Sequence, residues 1–434
     1  MLKALFTSFS LLICTLGYSL SANNSAFAQV TSDGSVNTEV NDDGDTAEIT
    51  GGETREDNLF HSFEDFSVKT GNEAFFNNAD SISNIFSRVT GGNVSDIDGA
   101  IRANGSASLF LINPAGIVFG ENASLNIGGS FYGSSASSIL FEDGEFSATD
   151  LENPPLLTIN APIGLGFRGE PGDIVNRSVV ENNEGETFGL EVLPGNNLAF
   201  IGGNINLNKG NLTASGGNIE LGGLSEAGIV NINKDGSFSF PEDVTKADIN
   251  LSNGADVDAS ATGGGSVTVN ARNLSLKAGE LGSSFIGTGI RSESTSVKAQ
   301  AGDIAIDVTE NITLDGSSIL NQVDSGGMGN SGNITINTGS LEAINGGQVD
   351  ASTFSQGDAG AVNITARGNL IFDGENSEGF SSGVISQVAL GAVGNSGGVT
   401  IKTTNLTLTK GGTIDARACH QLSRIKRNKK EKQQ

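Results

Sequence analysis

The 434-residue sequence has no tryptophan, and only two methionines, two tyrosines, two histidines, two cysteines and seven prolines. Each scarcity excludes something. His61 and His420 stand too far apart to form a metal-ligand or triad spacing. His61 is flanked by aromatics and reads as a packing or rim residue. Cys14 lies inside the N-terminal apolar segment, so Cys419 would be alone in a processed chain and no internal disulfide is available. Positive charge is also scarce. The formal net charge is −26, which repels nucleic acid and anionic lipid. Gly263-Gly264-Gly265 lacks the lysine and helix of a phosphate loop, and the glycine-aspartate nonapeptide of calcium-binding coils is missing. No cofactor and no metal site is expected, and nucleic acid is not an expected partner.

Long hydrophobic runs are missing too, except at the start. Lys3 supplies a positive charge, residues 4–20 are mostly apolar, and Ser25-Ala26-Phe27-Ala28 offers a small-residue cleavage site. This order reads as a signal peptide over residues 1–28, with cleavage between Ala28 and Gln29. The apolar stretch is short for a membrane span, and none follows it. The chain is expected to be exported through the periplasm, to be secreted or held at the cell surface.

Abundance lies in glycine, with 61 residues, while apolar residues still reach 36%. Helical periodicity is absent, and short alternating strands separated by glycine turns take its place. The 23 phenylalanines crowd the first half, as in residues 58–66 and 74–78, and suggest a specialised N-terminal cap before a more regular array. From about Gly202 a repeat emerges. A glycine precedes an alternating strand at Gly265-Ser-Val, Gly302-Asp-Ile, Gly332-Asn-Ile, Gly360-Ala-Val and Gly397-Gly-Val. A second aliphatic strand follows at Leu274, Ile312, Leu341, Leu370 and Leu406. A third element is Val257-Asp-Ala-Ser, Val349-Asp-Ala-Ser and Ile414-Asp-Ala-Arg. Three strands per period without helices define an all-β parallel β-helix, in which each coil buries its apolar stripe only against its neighbours.

The most distinctive residues lie between 58 and 131. Asn113-Pro114-Ala115-Gly116 has the preferences of a type I turn, followed by the strand that starts at Ile117. Four segments together resemble the two-partner secretion, or haemagglutination activity, domain of the filamentous haemagglutinin family, in its cyanobacterial style. They are Asn-Leu-Phe-His-Ser-Phe (58–63), Ser-Arg-Val-Thr-Gly-Gly (87–92), Leu-Phe-Leu-Ile-Asn-Pro-Ala-Gly-Ile-Val-Phe-Gly (109–120) and Leu-Asn-Ile-Gly-Gly-Ser-Phe (125–131). The resemblance implies a right-handed β-helix that extends into a rod-like, adhesin-like passenger. It also implies a partner, an outer-membrane pore with periplasmic docking modules, and leaves a host or cell-surface glycan as the target. The family's Asn-Pro-Asn-Gly-Ile motif falls on residues 113–117, with Ala115 in the third place, so Asn113, Pro114, Gly116 and Ile117 are the candidate secretion residues. A turn-forming role alone explains the first three, and both readings stand.

The expected organisation is therefore a signal peptide over 1–28, a secretion domain over 29–200, β-helix repeats opening the passenger over 201–417, and a basic irregular tail over 418–434. An enzyme is the alternative, because parallel β-helices also carry polysaccharide lyases and hydrolases, and Asp258, Asp350 and Asp415 recur after an aliphatic strand residue. A repeated solvated turn explains the recurrence more simply, and no enzymatic activity is expected. The segment from Arg417 to Gln434 carries seven Lys or Arg and one Glu. It reads as a premature end of a longer rod, as a frameshift would produce, or as an electrostatic tether to an anionic surface.

Overall fold

The computed structural model describes residues 29–152, 157–181 and 185–418. The signal segment with Ala28, and residues 419–434 of the tail, lie outside the described residues. Within them there is no helix, and three parallel faces wind into a β-helix. The long face stacks the strands from Asn58–Phe66 to Val399–Lys402. A second face of ten parallel strands runs from Ser95–Ile97 to Asn405–Thr409. The third is divided between a five-stranded sheet near the N-terminus and an eight-stranded sheet that ends at Thr413–Asp415.

The repeat positions become columns. Val267, Ile304, Ile334, Val362 and Val399 are register partners on the long face. Leu274, Ile312, Leu341, Leu370 and Leu406 are partners on the second. On the third face Val257 and Val349 share a column with Ile286, Ile319, Val384 and Ile414. These side chains point inward and bury almost completely, until the last coil leaves Leu406 43% exposed. The glycine that opens each repeat is dictated by how closely the coils stack. A Cβ on Gly332 would fall 1.9 Å from the Gly302 carbonyl oxygen, and one on Gly360 would fall 1.8 Å from that of Gly332.

Antiparallel pieces close the N-terminal end. Val30–Ser32 and Glu53–Arg55 pair with Asn58–Phe66, and Thr38–Asp42 pairs with Thr46–Gly51. Phe63, Phe66 and Phe76 fill the widened core beneath this cap.

A second antiparallel sheet leaves the helix altogether. It consists of Ser138–Phe141, Gly144–Ser147, Gly164–Phe167, Gly228–Ile232 and Phe238–Ser239. It lies on the outside of the long face, over a ladder of register partners Phe60, Phe86, Phe110 and Tyr132 whose rings stand 4.3–5.2 Å apart. The aromatic enrichment of the first half thus has two uses, an inner core and an outer one. Beyond Thr268 the same outer face bears polar side chains such as Thr335 and Asn337, exposed to solvent.

Candidate functional site

Residues 113–117 link the long face to the second. The strand Ser108–Ile112 ends at Asn113, and the Gly116 N–H donates to the Asn113 carbonyl at 2.9 Å, closing the turn. Gly116 has φ +109°, and a Cβ there would meet the Asp173 carbonyl at 2.6 Å, so glycine is required. The Asn113 side chain is fully buried. Its amide donates to the Asn93 carbonyl and to Ser95 Oγ, both at 2.9 Å, while its Oδ1 accepts from the Ala115 N–H at 3.0 Å. Ile117 is buried in the second face, paired with Ser95 and Ile174. Only Pro114 and Ala115 face partly outward, and the Pro114 carbonyl accepts from Gly172 on the next coil. The turn therefore presents two small side chains on a scaffold that Asn113 holds from within.

The two earlier motifs meet as adjacent strands, with His61 opposite Ser87 and Ser62 opposite Arg88. Arg88 is 2% exposed and was not singled out by sequence reasoning. The signal was available, since one arginine interrupts the apolar strand Asn84–Val89. Its guanidinium lies 4.7 Å over the Phe146 ring and donates to Ser35 Oγ and to the Ser147 carbonyl. One residue thus joins the cap, the coil and the outer sheet. His61 is buried, and burial pushes its pKa down to about 4, so it remains neutral. Thr38 Oγ1 stands 3.2 Å from its Nδ1 and accepts from the Ser62 N–H.

Gln29 is tied into the fold where the processed chain was expected to begin. Its carbonyl accepts from the Ser67 N–H at 3.0 Å, and Val30 pairs with Phe66.

Asp258, Asp350 and Asp415 share one column of the third face, but other residues intervene. Gly287 and Leu320 separate the first two, and Ile385 separates the last two. At about 4.8 Å per strand they stand roughly 14 and 10 Å apart along the axis, wider than the roughly 5 Å of a retaining pair, with Asp350 and Asp415 at the upper edge of an inverting pair's spacing. Each also has its own partners. Asp258 bonds Arg291 at 2.9 Å, buried Asp350 accepts from Gln322 at 2.7 Å and from Ser352, and Asp415 bonds Arg417. Among the described residues no group of three His, Cys, Asp or Glu side chains is placed to hold a metal ion.

A closed N-terminal cap, a β-helix and an outer sheet locked to its first coils define the class: a capped parallel β-helical protein. The TPS secretion domain family matches residues 28–269, more than half of the chain, and the protein belongs to that family. It is accordingly a substrate of two-partner secretion, which passes from the periplasm through a partner outer-membrane transporter to the cell surface or beyond. Similar solved structures include the HMW1 secretion domain from Haemophilus influenzae, at 15% identity over 86% of this chain and 99% of that one, with a TM-score of 0.39. The filamentous hemagglutinin secretion domain is similar at 13% identity over 89% and 99%, with a TM-score of 0.34. A heme/hemopexin-binding protein of Haemophilus influenzae (strain ATCC 51907 / DSM 11121 / KW20 / Rd) is 38% identical over 72 residues, which are 17% of this chain and 7% of that protein. The chain thus spans a small fraction of that relative's length.

Proposed function

We propose that the export address expected over residues 29–200 continues, with the outer sheet, to about Thr268, and is read by periplasmic docking modules of the transporter after cleavage between Ala28 and Gln29. The coils beyond it open an adhesin-like passenger with a surface glycan as its target. The observation that carries this reading is the unequal outer surface. The first coils are built over by a cap and an extra sheet, whereas the coils beyond Thr268 carry a bare, repetitive face. A specialised start and a uniform continuation suit an address followed by a rod.

In this reading the chain enters the pore unfolded and folds coil by coil outside, each coil templating the next. The stability gained opposes return, without ATP. The turn at 113–117 acts as a shape: Asn113, Gly116 and Ile117 hold it, while Pro114 and Ala115 form the touching surface. The test is export from cells carrying the transporter, measured beside unfolding of the purified variants. Asn113→Ile is expected to lower both. Ala115→Lys is expected to leave folding intact and reduce export, and wild-type export of that variant would remove the recognition role.

A further inference from the structure

The third face carries a cleft that the secretion reading does not use. Its floor is the pair of strands Asp256–Asp258 and Phe285–Ile290, in which Asp256 is opposite Phe285 and Asp258 is opposite Gly287. Gly287 has no side chain, and the Phe285 ring lies down over it. A Cβ on Gly287 would fall 3.0 Å from two carbons of that ring. The half-buried ring thus turns its other side to the cleft. Phe188 closes the opposite side. Between the two rings lie Asn211, Thr213, the two aspartates and Arg291, around a volume of about 250 Å³. A second hollow of about 120 Å³ shares Asp258 and Phe285 and continues across Gly287 and Gly289 to Gln322. From the coil of Thr213 to that of Gln322 the trough covers about 14 Å, the span of a short oligosaccharide.

The polar groups are those a sugar needs. Asp256 Oδ1 is buried, with no hydrogen-bond partner among the described residues. Buried acceptors are normally satisfied, so this one marks a carboxyl held in an apolar wall, where burial pushes its pKa up to about 7 and a hydroxyl donated to its other oxygen would relieve it. Arg291 is already neutralised by Asp258, at 2.9 Å, and that carboxylate also receives the Ser260 N–H at 2.8 Å. Glu186 and Asp324 stand at the two hollows and add negative charge. A ligand here must offer hydroxyl donors and an apolar ring face, and must not be an anion.

We propose that this cleft binds a neutral saccharide, held between Phe188 and Phe285 with its hydroxyls donating to Asp256, Asp258 and Thr213. Aromatic faces cover the C–H faces of a pyranose, and convergent carboxylates fix its orientation. The inference rests on the reading of a glycan as the target and gives it a site, while export of the chain is measured separately and does not bear on its outcome.

The purified chain is titrated with cellotetraose, xylotetraose and maltotetraose, and with tetragalacturonate as the anionic comparison, by calorimetry and saturation-transfer NMR. At least one neutral tetrasaccharide is expected to bind with a Kd of about 1 mM or tighter. Phe285→Leu keeps apolar burial but removes the ring, and Asp256→Asn keeps the shape but removes the carboxyl. Each should weaken binding about tenfold or more, while Thr335→Ala on the long face leaves it unchanged. No binding of any neutral tetrasaccharide up to about 10 mM would overturn the proposal. Unchanged affinity in both cleft variants, or binding of tetragalacturonate alone, would also overturn it.

Discussion

Arg88 Nε donates to Ser62 Oγ at 2.8 Å, and that hydroxyl donates in turn to Asp33 at 2.5 Å. Asp33 is only partly buried and reaches Arg88 through Ser62, so truncating the buried guanidinium forfeits its hydrogen bonds and strands their acceptors, at about 1–3 kcal/mol. Arg88→Met is expected to lower unfolding stability in urea by that amount. A loss under about 1 kcal/mol would show that the cap is held by apolar packing alone.

The same cluster gives the cap an acid limit. Burial raises the Asp33 pKa, but hydrogen bonds from Ser62, Ser35 and Thr90 outweigh it and hold the carboxyl below its ordinary value. A depressed carboxylate contributes stability above its unfolded pKa and loses it as pH falls through the lower folded value. Hydrogen exchange below pH 3.8 should show residues 30–42 losing protection while the coils at 304–366 keep theirs. Simultaneous loss in both regions would assign the acid sensitivity elsewhere.

Glu220 works in the opposite direction. It is 6% exposed beneath the outer sheet, and burial pushes its pKa up to about 7, partly offset by the Phe238 N–H that donates to it at 2.9 Å. A raised carboxyl favours the fold below its unfolded pKa of 4.5, and that contribution is lost as pH rises through about 7. Glu220→Gln should therefore stabilise the protein at pH 8, by about 1–3 kcal/mol, and change little near pH 4.5. Urea unfolding at the two pH values decides it, and an equal effect at both would refute the linkage.

Lys246 leaves the outer sheet's last loop and bonds Asp307, 61 residues on and beyond the end of the family match. Its side chain is 9% exposed. The Asp307 carboxylate is 60% exposed and screened by solvent, so Asp307→Ala should cost about 1 kcal/mol and raise exchange in the loop at 240–247, although Asp307 lies outside the matched region. Wild-type exchange in that loop would show that the lysine is satisfied by Asn270 and backbone alone.

Gly332→Ala places a methyl group against the Gly302 carbonyl oxygen, so the two coils must separate. A drop in thermal midpoint of several degrees is expected, with exchange rising first at 304–308 and 334–338. An unchanged midpoint would mean that the stacking distance is not set at the glycines.

The columns were legible because the repeat writes them twice, as a glycine and as the aliphatic residue two positions later. Val267 through Val399 fell where that rule puts them. Ile286, Ile319 and Val384 escaped notice because Phe285–Ile290, Ser318–Val323 and Gly383–Ile385 lack the Val-Asp-Ala-Ser signature of their neighbours. The outer sheet was missed for another reason. Alternation tells a strand from a helix, but does not say whether a strand continues the coil or departs from it. A clue did exist in Leu59-Phe60, Ile85-Phe86 and Leu109-Phe110, strands apolar on both faces, which something must cover from outside. At the turn, the type I geometry was legible in residues 113–116. The burial of Asn113 was not, since it depends on Asn93 and Ser95 in another coil. The aspartates were legible as a column, while their actual partners, Arg291 and Gln322, come from loops and registers that no local pattern encodes.

The outer sheet also imposes an order in time. Gly164–Phe167 pairs on one side with Ser138–Phe141 and on the other with Gly228–Ile232, and whole coils lie between those partners in the chain. A chain emerging from its N-terminus would hold an open strand edge, and an uncovered rank of phenylalanines, until the later strand arrives. Open edges recruit whatever strand is near. The interval between the two arrivals is thus a window of vulnerability written into the topology. Its length is governed by how quickly the intervening coils emerge, and not by how stable the finished rod becomes.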